Sequence, residues 1–127
     1  DSSLKEIVEV AFADFNKALE INPGYVETYN SRGVLYAQEG NHDKALADFN
    51  KALEINPSYA DAYSNRGLVY ANKGDNARAM SDYNKAIEIK PDSAIIYTNR
   101  GNIYWMRGRY DKAKNEYVIY KYRLIQE

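Results

Sequence analysis

The sequence predicts an all-α chain of stacked helix pairs, and three observations carry that prediction. A block of residues returns every 34 positions, helical periodicity fills the stretches between breakers, and glycine and proline fall at fixed offsets in each block. Tyr63, Arg66, Gly67, Tyr70, Gly74, Ala79, Tyr83, Ala86 and Pro91 define the block. Upstream, Tyr29, Arg32, Gly33, Tyr36, Gly40, Ala45, Phe49, Ala52 and Pro57 stand in the same places. Downstream come Tyr97, Arg100, Gly101, Tyr104, Gly108, Ala113 and Tyr117.

The chain opens on the second half of such a block. Ala13 to Pro23 is identical to Ala47 to Pro57, and Leu4, Ile7, Val8, Ala11, Phe15, Ala18 and Leu19 recur at spacings of three and four. That spacing predicts an amphipathic helix from about Ser3 to Ile21. Asn22-Pro23, Asn56-Pro57 and Lys90-Pro91 then end the second helix of each unit, because a residue before proline is pushed out of the α region. Gly40, Gly74 and Gly108 fall between the two helices of a unit, where φ > 0 gives a left-handed cap. Asn41 and Asp75 follow as N-caps, with Arg109 a poorer one. First helices are expected at roughly 26–39, 60–73 and 94–107, second helices at roughly 42–55, 76–89 and 110–125. Connections this short force neighbouring helices antiparallel.

Residue size sets the packing. Tyr63, Gly67 and Tyr70 share a face, and Gly67 lets the second helix approach, with Ala79 and Ala86 as a small-residue ridge and Tyr83 between them. Asp14/Lys17, Asp48/Lys51 and Asp82/Lys85 read as three-apart ion pairs on a solvated outer face.

Composition narrows the function classes. The 127 residues are 45% hydrophobic and 28% charged, with 17 basic against 18 acidic side chains and a net charge of −1. A nucleic acid or anionic membrane partner calls for a basic excess that is absent here. There is no cysteine, hence no disulfide or thiolate chemistry; this fits a reducing compartment, and the cytoplasm is the expected setting. No apolar run approaches a spanning helix of roughly 18 residues. No signal peptide is recognisable, and the missing initial Met suggests a chain cut from a longer one. His42, the only histidine, is expected solvated in an inter-helix turn. No motif appears in the context that catalysis, a cofactor or a metal would need, so the chain is expected not to be an enzyme.

These offsets resemble the tetratricopeptide repeat, a 34-residue helix–turn–helix unit with an aromatic, a glycine four residues on, then Tyr, Ala, Phe/Tyr, Ala and Pro. The resemblance covers a half repeat (1–25) and three repeats (26–59, 60–93 and 94–127) within a single domain, 1–127. It departs at the end, where Tyr120 replaces a small residue and Ile125 the proline, and Arg32, Arg66 and Arg100 replace the usual aliphatic residue. It implies seven helices in a right-handed superhelix, an α-solenoid, whose first helices line a concave groove that binds protein or peptide.

The expected groove face carries Asn30 and Ser31 from the first repeat, and Asn65 and Asn72 from the second. The third contributes Asn99, Asn102, Trp105 and Met106. The family's two-carboxylate clamp for chaperone C-termini resembles this set only at Asn65; its cationic positions hold Asn30, Ile95 and Asn99. A free carboxylate would lose its charge-assisted bonds, so that ligand is rejected. Asn65 and Asn99, with Ser31 as the weaker equivalent, resemble an asparagine ladder that bonds the main chain of an extended peptide. A plain soluble face is the other reading of the same residues.

Arg32, Arg66 and Arg100 either grip an acidic ligand or brace their repeats, and strict periodicity favours bracing. Trp105 is either an interface anchor or packed on the preceding repeat. Neither end carries a polar capping helix. Tyr117, Val118, Tyr120, Tyr122, Leu124 and Ile125 leave an apolar end surface, so the alternative function is a structural module that self-assembles by stacking through its end helices, or a slice of a longer repeat array.

Overall fold

The structure, a computed structural model, describes residues 2–108 and 110–126. Among them there are seven α-helices and no strand: α1 (Ser2–Ile21), α2 (Val26–Gln38), α3 (His42–Ile55), α4 (Ala60–Asn72), α5 (Asn76–Ile89), α6 (Ala94–Met106) and α7 (Tyr110–Gln126). The expectations placed on Arg109 as a cap and on the side chain of Ala113 fall outside the described residues.

The breakers act as their chemistry dictates. Gly40, Gly74 and Gly108 take φ of 80°, 85° and 73°. At the first two, the glycine N–H donates to the carbonyl three residues back and the next N–H to the carbonyl five back: Gly40 to Ala37, Asn41 to Tyr36, Gly74 to Ala71 and Asp75 to Tyr70. This paired cap satisfies the last carbonyls of α2 and α4. Glu39, Lys73 and Arg107 fall in these turns, so the helices end one residue earlier than the periodicity predicts. The Asn41 side chain then accepts from the Lys44 N–H and that of Asp75 from the Arg78 N–H, starting α3 and α5. α1, α3 and α5 all stop two residues before their prolines.

Contacts divide the chain into two units, Asp1–Pro57 and Ser58–Glu127. In the first, α2 packs between α1 and α3. Its core is Ala45, Phe49 and Ala52, with the Phe49 ring lying over Gly33, where a Cβ would come within 2.6 Å. In the second, α4 packs on α5 and α6 on α7, and α6 also covers α5. Ala79, Tyr83 and Ala86 of α5 meet Ile96 and Ile103 of α6, while Tyr63 and Tyr70 border the cluster half-buried. Tyr83 occupies the space over Gly67 as Phe49 does over Gly33.

Two expectations are corrected. Asp48 and Asp82 are not on a solvated face; they are 5% and 4% exposed. The surface pairs run the other way along the helices, Lys17–Glu20, Lys51–Glu54 and Lys85–Glu88 at 3.5, 3.5 and 3.8 Å. The aspartates turn inward because each meets an arginine on the preceding helix. His42 is not a solvated turn residue either: it is the first residue of α3, half-buried, with its Nδ1 enclosed and unpaired.

Candidate functional site

The arginine row settles into the repeat core. Arg32 donates from Nε and Nη2 to Asp48 at 2.8 and 2.7 Å and from Nη1 to Asn16 at 2.8 Å. Arg66 holds Asp82 through the same two nitrogens at 2.9 and 2.7 Å. Arg100 donates to Asn84 at 2.9 Å and to Glu116 through Nη2. Each guanidinium also lies over the tyrosine three residues before it, 5.5–5.7 Å from the ring centre. Hydrogen bonding to Asp48 and Asp82 pushes the Arg32 and Arg66 pKa values above the ordinary arginine value, with burial opposing. These side chains, 18–22% exposed, brace helix pairs and leave little to offer a ligand.

The third repeat does this less completely. Glu116 stands where the others have aspartate, and its longer side chain leaves Glu116 Oε2 and Arg100 Nε buried without partners. Sequence reasoning missed these carboxylates, although an acid sixteen residues after each arginine was a visible signal.

The arginines are thus committed within the repeats. Asn30 is half-buried and Ser31 exposed on α2, in the first unit. In the second unit α4 and α6 are in direct contact. Asn65 and Asn99 occupy equivalent, half-buried positions on these two helices, each two residues before a buried glycine. Asn72 and Asn102 are exposed, as are Trp105 at 59% and Met106 at 70%. Trp105 therefore faces solvent rather than packing inside. Asp61, at the start of α4, has Lys90 3.9 Å away, which offsets part of the acidic character of this face. Tyr97 is fixed by its hydroxyl, which donates to the Pro91 carbonyl at 2.9 Å.

A cleft of about 480 Å³ opens between α6 and α7, lined by Tyr97, Thr98, Gly101, Asn102, Trp105, Lys114, Glu116 and Tyr117. The sequence reading did not find it. Among the described residues no helix is long and apolar enough to cross a membrane.

The family model for the TPR repeat matches residues 35–74 and 70–108, and a second tetratricopeptide repeat model matches 15–47. The chain belongs to the tetratricopeptide repeat family. As such it is a protein–protein interaction module of helical repeats. A solved structure described as MamA RS-1 ArsTM double mutant is similar over 98% of this chain and 70% of its own, at 17% identity and a TM-score of 0.81. That likeness shows the fold, an α-solenoid of helix pairs. No curated protein sequence matches the chain. In all, 234 solved chains match, and a fold alone does not select a partner.

Proposed function

We propose that the chain is a non-catalytic scaffold that holds an extended polypeptide, in a cytoplasmic setting, through asparagine side chains on its first helices. Asn65 and Asn99 are the central pair, with Asn72, Asn102, Trp105 and Met106 around them on α4 and α6. Asn30 and Ser31 are the corresponding residues on α2. A carboxamide both donates and accepts, so it bonds a peptide's N–H and C=O without reading side chains. The observation that carries this reading is the direct contact of α4 with α6, which brings two amides of equal register onto neighbouring helices.

The arginines are already committed to Asp48, Asp82 and Glu116, and the asparagines named here are amides rather than cations. This again disfavours a C-terminal carboxylate as the ligand, and the balanced charge disfavours nucleic acid and membrane. Selection from a random peptide library tests the proposal. Peptides captured by the native chain should bind the Asn65→Ala/Asn99→Ala variant roughly tenfold or more weakly while its thermal melt is unchanged. Equal binding to both proteins would refute it.

A further inference from the structure

In the second unit α4 and α6 each lie antiparallel to α5, so the two run the same way, and they are in contact. A shift of 34 residues carries Asp61, Asn65 and Leu68 of α4 onto Ile95, Asn99 and Asn102 of α6. Spaced four and three apart, each set forms one stripe along its helix. Two large apolar side chains on these stripes face water rather than the core, Leu68 at 43% and Ile95 at 67% exposed.

Their placement has a consequence for an extended ligand. Ile95 stands level with Asp61, so Leu68 lies seven residues further along, on the other helix. At 1.5 Å per residue the offset along the helices is about 10 Å. Side chains three residues apart in an extended peptide are also about 10 Å apart, and they point to opposite edges. A strand lying along the furrow between α4 and α6 thus sets one side chain over Ile95 and the third one on over Leu68. Its N–H and C=O groups face up and down, with Asn99 about 6 Å along from Ile95 to meet them. Met106 lies about 16 Å along from Ile95, five extended residues on, but on the same helix as Ile95. Alternation sends the fifth side chain to the opposite edge, so Met106 is not part of the pair.

Charge selects the same kind of occupant. Among these stripe residues only Asp61 is charged, and Lys90 Nζ stands 3.9 Å from its carboxylate. An ion set over Ile95 or Leu68 would lose water against hydrocarbon, and the nearby charges already answer each other. The fitting segment is uncharged and aliphatic at both positions.

We propose that this surface selects extended peptides carrying two aliphatic side chains three residues apart, one seated on Ile95 and the other on Leu68. This rests on the reading of α4 and α6 as the seat of an extended main chain, and adds which side chains that chain carries.

Fluorescence anisotropy tests it, with the full chain titrated into short labelled peptides. The probes carry two leucines one, two, three, four or seven residues apart in an uncharged serine–glutamine host. The three-apart peptide should bind roughly tenfold or more tightly than the others. Leu68→Ser/Ile95→Ser, with unchanged helical circular dichroism, should bind all spacings alike. Should that variant lose helicity, Leu68→Ala/Ile95→Ala should show the same levelling. Asn65→Ala/Asn99→Ala should weaken every peptide yet keep the preference for three. If it binds as the native chain does while the preference stands, the amide reading fails and the side-chain reading holds. A native chain that binds every spacing alike would overturn the proposal without touching the amides. Tightest binding at seven apart would mark a helical ligand and overturn it too. So would a preference for three that survives in the Leu68/Ile95 variants, or no binding by any peptide of the set.

Discussion

Arg66 and Asp82 meet at two points across the α4–α5 pair, Nε to Oδ2 at 2.9 Å and Nη2 to Oδ1 at 2.7 Å, with the carboxylate side chain 6% exposed. This pair, repeated as Arg32–Asp48, locks the first helix of a repeat to its second. Removing the acid takes from a mostly buried guanidinium the carboxylate that both Nε and Nη2 hold. Asp82→Ala should therefore lower stability by about 3 kcal/mol in urea unfolding. Loss below about 0.5 kcal/mol would mean the pair behaves as a surface salt bridge.

The third repeat offers the converse experiment. Glu116 leaves one of its own oxygens and Arg100 Nε buried without partners. Glu116→Asp shortens the acid to the length found in the other two repeats and should let both pairs form. Stability should rise by about 1 kcal/mol, read as a higher urea midpoint.

Gly67 tests the close approach of the helices. A methyl group there would stand 2.9 Å from Tyr83 Cε1. Gly67→Ala gains about 1 kcal/mol in helix propensity, yet it forces the Tyr83 ring aside in a packed core, at a cost of typically 1–3 kcal/mol. The net effect should be destabilising. Pairing it with Tyr83→Leu should remove most of the clash, so the double variant should be less destabilised than the two single changes summed.

Tyr83 also makes a prediction in pH. Burial, with the Asp82 charge adding to it, pushes its hydroxyl up to about 12. Between roughly pH 10 and 12 the unfolded tyrosine has lost its proton and the folded one has not. The neutral form's advantage is therefore complete below pH 10 and disappears as pH rises through 12. Stability should fall by about 2–3 kcal/mol across that window. The Tyr83→Phe variant, measured in parallel, should lack this component.

Much of this was legible in the residues. The period, the positive-φ glycines, the Asn41 and Asp75 caps and the proline stops are local chemistry, and each requires only a few neighbouring positions. Asp48 and Asp82 were misread because spacing within one helix sees only partners three or four residues away. Their arginines lie sixteen residues back, on another helix. His42 was misread for a related reason: its position beside a glycine turn does not tell that it opens α3 and is half-buried. Trp105 and the α6–α7 cleft stayed open because repeat position says which face a residue occupies, not whether another helix covers that face.

The most direct measurement compares a library-selected peptide with the same peptide N-methylated along its backbone. Both are titrated into labelled protein while the side-chain amide signals of Asn65 and Asn99 are followed. The account predicts that the native peptide shifts both signals and that the N-methylated form binds roughly tenfold or more weakly. Equal binding of the two, with Asn65 and Asn99 unmoved, would contradict it.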